Sequence, residues 1–242
     1  MKPINGGWTI IDDEVGVWMR EYSFDGRTTA NCLVARMADE HLLVISPACG
    51  MSEAAFEALA RLGDVGAIVA NNGMHHLGLA EWSARFPFAS IHAPGAAMAR
   101  IRERSPGLQP LQPLERLARR LGSRIHLIEA PFTRCGESMA VIRIRRGWVW
   151  FASDILVNME HIPAPWPIRL LFHLTGSGPG YRVFHLAMRR TVMDRTAVLS
   201  WLSAELTRRP PTIVVPAHGR ILDHPGLYRQ TQDLVSEALR RR

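Results

Sequence analysis

Apolar positions along this chain fall into two rhythms. Residues 8–12 and 15–22 are short β-branched and aromatic runs split by Asp12-Asp13-Glu14, which predicts a hairpin. Residues 28–37 and 42–46 extend it into an antiparallel meander that stops at Pro47. The rhythm then changes. Phe56, Leu59 and Leu62 recur at helical spacing over 51–62, with Ser52 placed to start the helix. Strand 65–70 precedes helix 79–86, and strand 89–93 precedes helix 96–104. This alternation predicts parallel strands joined by crossover helices. A Pro- and Gln-containing linker (105–113), a short helix (114–121) and a strand (124–130) ending at Pro131 follow.

The second half repeats the theme. Runs 139–145 and 148–152 predict a hairpin around Arg146-Gly147. Residues 194–208 predict a helix with Asp194 as N-cap, and Val198, Trp201, Leu202 and Leu206 on its apolar side. A buried strand over 212–216 leads directly into Ala217-His218-Gly219, and a terminal amphipathic helix covers 227–239. Two such halves predict two sheets face to face with helices outside, in one domain spanning 1–242. The polar strand exits should lie at one edge.

The connection over 155–193 breaks the pattern. It holds Ile162-Pro163-Ala164-Pro165-Trp166-Pro167, an apolar stretch over 168–174 and the turn Thr175-Gly176-Ser177-Gly178-Pro179-Gly180. Trp166, Leu170, Leu171 and Phe172 suit a lid, a docking face for a second copy in a homodimer, or a segment lying on a membrane surface.

Composition narrows the class. A chain of 242 residues can bury a core without disulfides, and Cys32, Cys49 and Cys135 form no C-x-x-C motif, so reduced cysteines and a cytoplasmic location are expected. Residues 1–7 carry no apolar leader, and no run reaches the roughly 18 residues of a spanning helix, so no stable membrane insertion is expected. The net charge of +7 is carried by arginine, Lys2 being the only lysine. Without a basic-aromatic module this points to no nucleic-acid partner.

Three strand exits hold metal-competent side chains. His75 and His76 follow strand 65–70, Asp154 follows 148–152, and His218 follows 212–216. Each has a plainer reading: His75 as a helix cap with His76 a hydrogen-bonded core residue, Asp154 as an N-cap, His218 as a turn residue. All three exits obeying one rule favours a metal centre, since imidazoles with one carboxylate suit Zn2+ or Fe2+.

The order of these features resembles the metallo-β-lactamase fold superfamily. Asn71-Asn72-Gly73-Met74-His75-His76 stands where that family has H-x-H-x-D-H, and Thr133 falls in the segment of its middle His. Phe151-Ala152-Ser153-Asp154 resembles its bridging-Asp segment, and Val215-Pro216-Ala217-His218-Gly219 its last-His segment. Ser46 stands where an Asp is common. The resemblance implies an α+β fold, a four-layer αββα sandwich. It also implies one metal position emptied by Asn71, Gly73 and Thr133, and a second retained by His75, His76, Asp154 and His218. Zn2+ is preferred to Fe2+.

On this reading the protein is a metal-dependent hydrolase acting on a small, anionic substrate. Asp154 and His76 are its catalytic candidates, and Asn71, Thr133 and Arg182 are candidates for substrate contact. The alternative is an inactive binding or regulatory protein with a structural metal or none. His161, His173 and His185 are further candidates to replace the middle His.

Overall fold

In a computed structural model, residues 1–241 are described, and they form two compact units that meet in sequence between His126 and Leu127. Arg242 lies outside the described residues.

The first unit is built on an eight-stranded sheet whose strands lie in chain order. These are β1 (Lys2–Pro3), β2 (Thr9–Asp12), β3 (Val17–Ser23), β4 (Thr29–Arg36), β5 (Leu42–Ile45), β6 (Val65–Val69), β7 (Ser90–Ala93) and β8 (Gln112–Pro113). Strands β1 to β5 pair antiparallel, as the meander predicts. From β5 to β8 every pairing is parallel, with α1 (Glu53–Ala60), α2 (Leu79–Arg85) and α3 (Met98–Arg104) as crossovers. A short α4 (Ala118–Leu121) closes the unit. Ser52 caps α1 by accepting from the Ala55 N–H.

One core explains why the helices pack as they do. Cys32, Val34, Val44, Ile68 and Ile91 project from alternate strand positions into the same cluster as Phe56 and Leu59 of α1, Leu79 and Trp82 of α2, and Ile101 of α3. The helices therefore share one sheet face. Phe56 and Trp82 meet edge to face at 5.2 Å between centroids. Leu33, Leu43, Ile45 and Val69 point to the other face and are buried too. Burial on both faces is why β4, β5 and β6 read as continuous apolar runs.

The second unit centres on a four-stranded sheet of order β14-β11-β10-β9. It comprises β9 (Ile125–Glu129), which runs through the unit boundary, β10 (Ser138–Ile144), β11 (Gly147–Phe151) and β14 (Pro211–Val215). The β10–β11 hairpin turns at Arg145-Arg146, one residue before the expected Arg146-Gly147, because Gly147 already pairs with Ile144, and β14 adds parallel to β11. Val141, Trp150 and Val214 share a cluster with Val198, Leu202 and Leu206 of α7 (Arg195–Arg208) and Leu227 and Val235 of α8 (Leu227–Arg240). Asp194 caps α7 by accepting from the Ala197 N–H.

The segment over 155–193 carries more structure than its sequence pattern shows. It folds as β12 (Leu156–Met159), α5 (Trp166–Thr175), β13 (Gly180–Val183) and α6 (His185–Thr191), with β12 and β13 paired antiparallel as a separate ribbon. Strands of four residues leave too short a pattern to register, and their pairing spans the whole of α5. Among the described residues no helix is long and apolar enough to cross a membrane.

Candidate metal centre

The first unit presents His75 from the loop between β6 and α2. Asn72 shapes that loop: its side-chain oxygen accepts from the backbone N–H groups of Met74 (2.7 Å) and His75 (3.0 Å), an Asx turn. Arg100 Nε donates to the Gly73 carbonyl at 3.1 Å and ties the loop to α3. His75 does not cap α2, whose N-cap position is Gly78 with no side-chain cap. Its Nδ1 lies 2.7 Å from the hydroxyl of Ser46, at the end of β5. Ser46 has φ +55, an uncommon conformation for a residue with a side chain. If Nδ1–H donates to this hydroxyl, Nε2 is the nitrogen presented to a metal.

Gly78 sets how closely this loop packs. A Cβ there would strike the carbonyl oxygens of Pro47 and Ala48. Trp82, one turn into α2, donates its indole N–H to the Ala48 carbonyl at 2.7 Å. The loop after β5 and the loop after β6 are thus held against each other.

His76 is half-buried. Burial, then the charges of Arg100, His75 and Arg104, hold its imidazole below the usual histidine range, and its Nδ1 is buried without a hydrogen-bond partner among the described residues. Asn71 is buried.

The second unit presents Asp154 and His218 from two neighbouring strand exits. Ser153, at φ +51, turns the chain after β11 and donates its hydroxyl to Glu137 Oε2 at 2.6 Å. Ala217 N–H donates to the Ser153 carbonyl, which couples the exit of β14 to that of β11. His218 Nε2 then lies 3.3 Å from Asp154 Oδ1. The His218 carbonyl accepts from Asn158 N–H, and Gly219 follows at φ +91, so close to Asn158 that a Cβ would overlap its carbonyl. No helix starts at Asp154, since β12 comes next. The buried Glu137 is a support that pattern reading missed; its only signal is a carboxylate directly before a buried strand.

His75, Asp154 and His218 each offer one ligand atom, and these atoms lie within 4.8 Å of one another, a group that could hold a metal ion. His76 is not in that group, and neither are His161, His173 or His185. Thr133 is buried, and its hydroxyl accepts from the Glu137 N–H at 3.2 Å. Arg182 is exposed on β13 and donates to the Tyr181 carbonyl.

No protein-family model and no curated protein sequence matches the chain. Solved structures do. The metallo-β-lactamase FIM-1 from Pseudomonas aeruginosa, in a mono-zinc form, is similar over 99% of each chain at 13% identity, with a TM-score of 0.55. A metallo-β-lactamase from Pontibacter korlensis covers 96% of each chain at 14% identity and a TM-score of 0.53. The Flv1 flavodiiron core from Synechocystis sp. covers 98% of this chain and 60% of its own, at 16% identity and a TM-score of 0.59.

The chain has the metallo-β-lactamase fold.

This is the four-layer αββα sandwich that the strand-then-helix pattern predicts. On this fold the ligand-type group is His75, Asp154 and His218. Two of these are imidazoles and one is a carboxylate, a donor set suited to a divalent transition metal.

Proposed function

We propose that this metallo-β-lactamase-fold protein is a hydrolase that holds one divalent ion, Zn2+ rather than Fe2+, through His75, Asp154 and His218. The observation that carries this reading is the convergence of three ligand atoms within 4.8 Å. Three protein ligands are what a catalytic zinc site uses, because a fourth position stays open for water or substrate. The mono-zinc form of FIM-1 provides a precedent for a single ion on this fold. When bound, such an ion polarises a carbonyl or phosphoryl oxygen and lowers the pKa of water to about 7.

The chain's own residues supply the rest. Ser46 fixes the His75 ring, and Glu137 with Ser153 fixes the turn that delivers Asp154. His76, kept neutral near pH 7 by its surroundings, is available as a fourth ligand or as a proton acceptor beside the ion. Asn71 is a candidate substrate contact. Thr133 and Arg182 are weaker ones, because each is already engaged with backbone. The substrate class favoured by the net charge of +7 is a small anion, and the location favoured by the cysteine pattern is cytoplasmic.

A second reading has its own observation. Gly73 has no side chain and the Thr133 hydroxyl serves a turn, which suits a fold retained for binding or regulation. Metal titration followed by thermal unfolding separates the two. An ion that binds only the folded state stabilises it by about 2.7 kcal/mol at one hundred times Kd. Wild type and Thr133→Ala should show the shift, and His218→Ala should lose it. No shift in wild type, or a full shift in His218→Ala, would sink the proposed site.

A further inference from the structure

Helix α5 differs from every other long helix of the chain in having no buried residue. Its ten residues include five large apolar side chains that are exposed: Trp166, Ile168, Leu170, Leu171 and Leu174, with Trp166 at 68% and Leu174 at 76%. Trp166, Leu170 and Leu174 follow at i, i+4 and i+8, so they form a stripe on one face. Phe172 points away from that stripe and stacks on Phe184, 5.6 Å between centroids, at the start of α6. The helix is therefore attached by its inner face and displays its apolar one. Arg169 and His173, one turn apart, border the stripe on the remaining side.

The segment that carries this helix is free of acidic residues, and the nearby acids Glu160 and Glu237 are paired with Arg220 and Arg241. Between His161 and Met193 there is no Asp or Glu, while Arg169, Arg182, Arg189 and Arg190 are all exposed. Met193 and Phe132, exposed as well, are held together where the Met193 N–H donates to the Phe132 carbonyl at 2.7 Å.

We propose that α5 is a docking helix for anionic lipid bilayers, on which the protein adsorbs reversibly without spanning the membrane. Charge complementarity selects this occupant. A second copy placed on the stripe by two-fold symmetry would bring Arg169 and its acid-free segment against their own copies, with no carboxylate of that segment to meet the positive charge. An anionic bilayer accepts both features together. The Trp and Leu side chains enter the boundary between headgroups and acyl chains, and the arginines meet lipid phosphates and carboxylates. Trp166, at the N-terminal end of the stripe, is a residue type that favours that boundary. This inference is independent of the metal centre.

The test is cosedimentation of the full chain with vesicles of phosphatidylcholine containing about one-third phosphatidylserine, against pure phosphatidylcholine. Binding should be about tenfold or more stronger on the anionic vesicles, and should collapse near 1 M salt, where the screening length is about 3 Å. Leu170→Glu with Leu174→Glu should lower it by at least tenfold, and Arg189→Gln with Arg190→Gln by a smaller factor. Because these side chains are exposed, circular dichroism and the melting temperature should match wild type. Should the glutamate variant fail to fold, a blue shift of Trp166 emission on vesicles, taken as the difference between wild type and Trp166→Phe, decides the matter. Three results would overturn the proposal: no binding of wild type to anionic vesicles, binding by the folded glutamate variant equal to wild type, or a dimer in solution that this variant abolishes. The last would assign the stripe to a second copy.

Discussion

The hydroxyl of Ser46 and Nδ1 of His75 lie 2.7 Å apart, buried, across 29 residues of sequence. The contact links the end of β5 to the loop after β6, and it determines which imidazole nitrogen is presented. Ser46→Ala should therefore weaken Zn2+ binding by about 10–100-fold, the usual cost of losing a hydrogen bond to the far nitrogen of a metal-binding histidine. A competition titration with a chelating dye measures this. Unchanged affinity would remove Ser46 from the account.

Glu137 and Ser153 play the matching part in the second unit. The Ser153 hydroxyl donates to a carboxylate that is almost fully buried. Glu137→Ala should cost about 1–3 kcal/mol by leaving buried polar groups without their partner, and should also weaken metal binding by freeing the turn before Asp154. Urea unfolding gives the first quantity and calorimetric titration the second. A loss of stability with full metal affinity would make Glu137 a support of the fold alone.

Gly219 tests the delivery of His218. It sits at φ +91 with the Asn158 carbonyl where a Cβ would lie. Gly219→Ala should destabilise by more than the roughly 1–2 kcal/mol that a left-handed conformation alone costs, because a backbone group must also move. The melting temperature checks this, and a melting temperature equal to wild type would show that the close approach is not required.

His185 gives a pH prediction away from the metal centre. Burial first, then Arg195, Arg241 and Arg189, pushes its imidazole down to about 4, against a smaller opposing pull from Glu237. The unfolded chain takes up this proton near pH 6.5, whereas the folded chain does so only near 4. Falling pH therefore favours the unfolded state through that window, and no penalty remains above it. His185→Gln should lose less stability than wild type between pH 7 and pH 4.5, as followed by thermal unfolding. Equal losses would show that the ring is solvated.

Local pattern and tertiary placement divide this protein cleanly. The meander, the crossover helices and the caps Ser52 and Asp194 were legible because each depends on residues within a few positions of one another. The strand exits at His75, Asp154 and His218 were legible for the same reason, since a buried apolar run must end where a polar residue appears. Other features depend on partners remote in sequence. Ser46 on His75, Glu137 under Ser153 and Asn158 against Gly219 span 29, 16 and about sixty residues, and no spacing rule links them.

His76 shows the limit most sharply. By residue type it is as good a ligand as its neighbour, yet it is the His75 ring that meets the Ser46 hydroxyl, a contact that no spacing in the sequence announces. The sequence also contained the apolar stretch over 168–174, though not the helix that carries it. That the stripe from Trp166 to Leu174 is exposed was settled by the folded chain, because Phe172 rather than that stripe found a partner. Periodicity defines a surface, whereas burial depends on what the rest of the chain brings to it.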